Sequence, residues 1–158
     1  LIPLGGHALR QMQAAHQQGD VVEVSASKPR SRSTHNWYFA MIQNAWQNLP
    51  EWLQHEDWAK SAEHLRAYAL IATGQCTTHT LLMEDNRQAA ACALLLRAKA
   101  PMAVTVAEGN VVVHHEPISQ SERSMSGIEF KLSAEKVIGW ICAEVLDCEP
   151  AQLMEASA

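Results

Sequence analysis

No run of about eighteen apolar residues occurs in this chain, so no helix is expected to span a membrane. The opening Leu-Ile-Pro-Leu-Gly-Gly lacks the basic head and long apolar body of a signal peptide, and a cytoplasmic protein is expected. The four cysteines, Cys76, Cys92, Cys142 and Cys148, include no Cys-x2-Cys pair of the zinc type. Cys76-x2-His79 is half a site without a second half nearby. His114 and His115 are neighbours on an expected strand, where side chains point to opposite faces. The thiols therefore read as free groups in a reducing compartment, and neither metal nor cofactor is expected. A Gly-rich phosphate loop, a Gly-x-Ser-x-Gly elbow and a His-Glu-x-x-His helix are all missing. The acid pairs Glu56-Asp57 and Glu84-Asp85 fall in expected loops, and nothing selects the convergent carboxylates that a metal-dependent nuclease needs. The inventory favours a binding protein over an enzyme, with no catalytic residue to name.

What the chain does have is one concentrated patch of positive charge. Lys28, Arg30 and Arg32 fall in a stretch, Val24 to Pro50, that contains no acid. That stretch is +3, while the remaining nine basic residues face 17 acids and make the rest −8. An acidic remainder argues against coating nucleic acid with the whole surface, so any such binding must be local. The basic residues enter a helix start, where free N–H groups and the positive end of the dipole already suit phosphate. The alternative is a solvated basic loop leading into a core helix.

At 158 residues the chain fits one domain with a real core. An α+β fold is expected over residues 1–150, with two long core helices, additional helices and a small antiparallel sheet, followed by a flexible tail over 151–158. Residues 7–18 read as a helix, and Val21, Val22 and Val24 as a strand. Ser33 or Thr34 can cap a helix from about Thr34 to Asn48, whose apolar residues Tyr38, Met41, Ile42, Ala45 and Leu49 recur at helical spacing. Phe39 and Trp46 flank that stripe, and Phe39 is expected in the core. Trp37 has a partly polar face and either stacks on a base or lies flat over the core edge. Trp52 and Trp58, in a loop too short to bury both, form a candidate apolar patch. Ser61 caps a helix that Gly74 ends. Cys76 to Met83 is rich in strand formers, and residues 86–99 are Ala- and Leu-rich, hence helical. Val104 to His114 reads as a hairpin turning at Gly109-Asn110. Ser126 and Glu129 form a capping box before a helix to Leu146 with the stripe Phe130, Ala134, Val137, Ile138, Ile141 and Val145.

Several of these segments resemble, in order, a family of short phage and prophage proteins of unknown function. The family's Leu-Ile-Pro and Gly-Asp-Val-Val stretches match Leu1-Ile2-Pro3 and Gly19-Asp20-Val21-Val22. Its Arg-Pro-Arg-Asn-x-x-x-His-Arg-x-Phe-Phe-Ala-Leu matches Lys28-Pro29-Arg30-Ser31, His35 and Tyr38-Phe39-Ala40-Met41. Leu65-Arg66, Gly74-Gln75-Cys76, Glu116-Pro117-Ile118-Ser119, Ser124-Met125 and Glu129-Phe130 continue the pattern. The frame is similar to the NinB (Orf) recombination mediators of lambdoid phages and spans most of residues 1–146. It departs at Asn36 and Trp37, where relatives carry basic residues, and at 85–100, which looks like an insertion.

The resemblance implies a homodimer in the host cytoplasm that binds single-stranded DNA and helps load a recombinase. Lys28, Arg30, Arg32, His35 and Trp37 are the expected nucleic-acid-binding residues. The alternative partner is a protein: a phage-encoded interaction module that binds or inhibits a host replication or defence complex, for instance at a host single-strand binding protein.

Overall fold

The structure, a computed structural model, describes residues 31–155. The expected helix at 7–18, the strand at Val21 to Val24, and Lys28 and Arg30 lie outside the described residues. Within them the fold is α+β. Helix α1 runs Arg32–Gln47, α2 Ala62–Ala72, α3 Asn86–Lys99, α4 Gly127–Trp140 and α5 Pro150–Glu155. Strands β1 (Cys76–Leu82), β2 (Val104–Glu108) and β3 (Val111–Pro117) make one antiparallel sheet in the order β1-β3-β2.

The helix starts follow their polar residues. Ser31, rather than Ser33 or Thr34, caps α1, its hydroxyl accepting from Thr34 N at 3.5 Å. Ser61 caps α2, and Asp85 caps α3. Ser126 and Glu129 close the reciprocal box at the start of α4: Ser126 N donates to the Glu129 carboxylate at 2.7 Å and Glu129 N to the Ser126 hydroxyl at 3.3 Å. Each box or cap satisfies N–H groups that the first turn leaves without partners.

The core forms where three helical stripes meet. Tyr38, Met41, Ile42 and Ala45 of α1 pack with Leu65, Ala69 and Leu70 of α2, and with Phe130, Ala134, Val137 and Ile138 of α4. The expected long C-terminal helix is α-helical only to Trp140 and widens into a π-helical turn over Ile141–Leu146. That turn ends with Asp147 in the left-handed region, at φ 49°, and with Cys148 N donating to Cys142 O at 3.0 Å. The wider turn keeps Ile141, Cys142 and Val145 on the buried side, so the apolar stripe survives the change of pitch.

Two expectations are corrected by packing, and that for the tryptophan pair, which the segment was not expected to bury fully, is refined. Phe39 is not core: its ring is 37% exposed, one position round the helix from fully buried Tyr38. The core-facing arc of α1 is filled by Tyr38, Met41, Ile42 and Ala45, and Phe39 lies just outside it. Trp58 is half-buried, because it stacks on Tyr68 of α2 at 5.3 Å, while Trp52 stays 72% exposed. The segment from 151, expected as a tail, instead continues as α5 through Glu155. It is pinned by buried Leu153 and by Asn44 Nδ2, which donates to Leu153 O at 2.8 Å.

The sheet covers a second, smaller core of Ala89, Ala93 and Val112, where α3 lies on one sheet face. The hairpin turns at Gly109-Asn110, with Gly109 at φ 58° as the first residue of a two-residue II′ loop requires. The adjacent histidines do separate by face. His114 is buried between Thr105 and Glu116, at 2.7 and 3.1 Å, whereas His115 pairs with Thr78 on the other side. No helix among the described residues is long and apolar enough to cross a membrane.

Ile42→Ala and Ile141→Ala should each cost about 2–5 kcal/mol of stability, the usual range for a fully buried residue cut back to Ala. Phe39→Ala should cost clearly less than either. Urea denaturation of the three variants checks this, and a Phe39 penalty as large as the others would put its ring in the core.

Candidate nucleic-acid interface

Of the five residues expected to bind nucleic acid, Arg32, His35 and Trp37 are described. Successive residues of an α-helix advance by about 100°, so positions 32, 35 and 39 share a face and position 37 lies about 200° from 35. The contacts agree with that geometry. Arg32 is exposed on the first turn, and His35 is exposed with its ring 4.7 Å from Phe39 and 5.9 Å from Phe130. Trp37 is half-buried and packs against the main core. Of its two readings, lying over the core edge is the one its surroundings support. The aromatic that shares a face with the basic start of α1 is Phe39.

Behind Phe39 sits a polar network that joins three helices. Arg66 on α2 places its guanidinium 5.8 Å from the Phe39 ring centroid. Arg66 Nε donates to Glu63 at 3.0 Å, its Nη2 donates to the other Glu63 oxygen, and its Nη1 donates to Gln120 Oε1 at 2.6 Å. The same Gln120 oxygen accepts from Tyr38 Oη at 3.2 Å, and Gln120 Nε2 donates to Ser133 Oγ of α4 at 2.7 Å. Burial works against the charge on Arg66, but the Glu63 hydrogen bonds and charge outweigh it, and the guanidinium pKa is raised. Glu63 is held below the usual carboxylate range, first by its hydrogen bond from Arg66. Tyr38 is pushed up to about 12, chiefly because burial disfavours the phenolate.

Outside this network a cleft of about 420 Å³ opens between α1 and the segment after β3, lined by His35, Phe39, Arg66, Ser119, Gln120 and Ser121. Glu63 cancels the Arg66 charge, so the cleft itself offers an aromatic ring, an imidazole and hydroxyls rather than a strong field. Arg32, about one turn before His35 on α1, makes no ion pair among the described residues.

Sequence reasoning missed Phe39, Arg66 and Gln120 as members of this site. Phe39 carried a signal: it stands four residues after His35 and seven after Arg32. Gln120 carried none, because its partners lie 82, 54 and 13 residues away. Among the described residues no group of three or more His, Cys, Asp or Glu is placed to hold a metal ion. No protein-family model, no curated protein and no solved structure matches this chain.

The Tyr38 shift has a consequence for stability. A phenol whose folded pKa exceeds its unfolded value keeps its proton longer in the native state, so its contribution is complete below the unfolded pKa and is lost as pH rises through the folded one. The window runs from pH 10.0 to about 12. The stability difference between the parent and Tyr38→Phe should therefore be constant below that window and move in favour of Phe within it. Denaturant titrations at four pH values check this, and a difference that does not change with pH would remove Tyr38 as the cause.

Proposed function

We propose that this chain binds single-stranded DNA through the face that carries Arg32, His35 and Phe39, as an accessory factor in phage-type recombination or replication. The observation that supports it best is the half-exposed Phe39 ring, on the same helix face as the basic helix entrance and beside an open cleft. Phosphates are held by Lys28, Arg30 and Arg32, and unstacked bases lie on Phe39 and His35. Aromatic stacking favours single strands, because only there are base faces free, and contributes about 1–3 kcal/mol per base. Duplex DNA offers only its phosphates to this face.

Fluorescence anisotropy with single- and double-stranded oligonucleotides at two salt concentrations tests the reading. Replacing Lys28, Arg30 and Arg32 together by Ala should flatten the salt dependence, by about 0.7 in log–log slope for each phosphate that is no longer neutralised. Phe39→Ala should weaken single-strand binding and leave that slope nearly unchanged, because stacking releases few counterions. Trp37→Ala should lower stability more than affinity. Charge and Phe39 variants that fold and bind as the parent does would exclude this face.

A protein-interaction module is the second reading, and the uncovered side of the sheet favours it. Leu82, Val106, Val111 and Val113 lie on the face opposite buried Val112, and Leu82 is 76% exposed. On this reading the chain binds or inhibits a host replication or defence complex, and oligonucleotides show no salt-dependent binding. A homodimer belongs to the DNA-binding reading and would cover exposed Trp52. Sedimentation velocity should show two copies, and a monomer at every concentration would overturn the dimer.

A further inference from the structure

A second cleft, of about 450 Å³, lies between the short turn Asp57–Lys60, one side of α2 and the loop that follows α3. One wall is built from Trp58 and Tyr68, stacked 5.3 Å apart with their planes within 16°. Tyr68 is braced in turn by Trp140, edge-on at 5.7 Å. The polar lining consists mainly of Lys60, His64 and Arg97, with Asp57 as the one carboxylate on the wall. These groups feel one another: the Asp57 carboxyl is held low first by its hydrogen bond from Lys60 and then by the Lys60 charge, with Arg97 and His64 adding to it.

The cation that matters most is Arg97. Its Nε and Nη2 both donate to the Thr105 carbonyl, at 3.2 and 2.8 Å, which fixes the guanidinium without neutralising it. It makes no ion pair among the described residues. His64 uses Nδ1 toward Ser61 Oγ at 2.8 Å, which leaves Nε2 as its other polar atom. Lys60 and Arg97 against Asp57 give the lining a surplus of one positive charge. Arg97 alone reads as a tie between α3 and β2, and the aromatic pair alone as the rim of the core. Together they place aromatic rings beside a guanidinium that makes no ion pair among the described residues, in a space of the size that small ligands occupy.

We propose that this cleft binds a nucleoside monophosphate, with the base against the Trp58–Tyr68 wall and the phosphate at Arg97, Lys60 and His64. An aromatic base suits a lining that holds two aromatic rings, and a planar guanidinium matches phosphate oxygens in a bidentate way that other cations do not. The same chemistry is presented by a free nucleotide and by the 5′-phosphorylated end of a strand. The inference stands apart from the single-strand reading, since Arg32, His35 and Phe39 do not line this cleft.

Calorimetric titration and saturation-transfer NMR with dAMP, deoxyadenosine, and oligonucleotides bearing a 5′-phosphate or a 5′-hydroxyl test it. The expected result is that dAMP binds at least about tenfold more tightly than deoxyadenosine, the difference one charge-assisted contact supplies. Arg97→Met should remove most of that difference. Trp58→Leu should weaken dAMP and deoxyadenosine alike. Lys60→Ala, at an exposed position whose ion pair adds little stability, should weaken dAMP with an unchanged melting temperature and so covers the case in which the other variants fold poorly. Preference for the 5′-phosphorylated oligonucleotide over the 5′-hydroxyl one assigns the site to a strand end; binding of dAMP without that preference assigns it to free nucleotide. No transfer from dAMP up to millimolar concentration, equal binding of dAMP and deoxyadenosine, or parent-like affinity in the Lys60 and Trp58 variants would overturn the proposal.

Discussion

The carboxamide of Gln120 accepts from Tyr38 and Arg66 through one oxygen and donates to Ser133 through its nitrogen. Its partners sit on α1, α2 and α4, the three helices that make the main core. A buried amide must be satisfied, because an unpaired donor or acceptor there costs about 1–3 kcal/mol. That requirement adds a directional constraint to the apolar packing of the helices, since the three hydrogen bonds, at 2.6–3.2 Å, hold their partners at set distances. The loop from Ile118 to Met125 is drawn over the helices by the same residue. Arg66, held by Gln120 on one side and Glu63 on the other, becomes a rigid platform under the Phe39 ring. The candidate interface is thus a surface consequence of a buried polar joint.

The sheet follows a different logic. Its central strand β3 alternates strictly, with Val112 and His114 toward the helices and Val111, Val113 and His115 away from them. His114 is a polar residue on the inner face, yet both ring nitrogens have partners, so it needs no ligand to explain it. The outer face has no helix over it among the described residues. Apolar β-branched residues remain there because strands favour them, whether or not anything covers them.

Much of the fold was legible because it rests on periods and caps. The stripe Phe130, Ala134, Val137 and Ile138 is buried residue by residue as its spacing requires, and the Ser126–Glu129 box and the Gly109-Asn110 turn form where their residue types demand. Period, however, gives the centre of a buried face and not its width. The boundary between Tyr38 and Phe39 depends on how closely α2 and α4 approach α1, and those helices are joined by Gln120 from a distant loop. The same holds for α5. Nothing local in Pro150–Glu155 marks it as docked; Asn44, 109 residues away from its partner Leu153, holds it. The site was half legible for a related reason. Arg32 and His35 could be read from the charge run, but the choice between Trp37 and Phe39 as the exposed aromatic required knowing which arc of the helix the core consumes.

The two clefts are closer to each other than the sequence would place them. Met102, in the loop between α3 and β2, lines both. Arg66 and His64, two residues apart on α2, each line one of them. Residues two apart on a helix point about 200° away from each other around its axis, so α2 divides the clefts, and Met102 closes the gap on the loop side. A thioether is a suitable residue for such a shared wall, because it adapts its shape without offering hydrogen bonds that would favour one side. The two sites also differ in kind. The Phe39 side has aromatic and hydroxyl groups, and its own cation is paired with Glu63. The Trp58 side has aromatic rings together with a guanidinium that the Thr105 carbonyl holds in place and that makes no ion pair among the described residues. On the two proposals, a strand along the first face would be held without regard to its ends, whereas the second cleft would select a phosphate monoester, on a free nucleotide or at a strand end. The contrast between the clefts follows from where the carboxylates fall: Glu63 pairs with Arg66, and no carboxylate among the described residues forms an ion pair with Arg97.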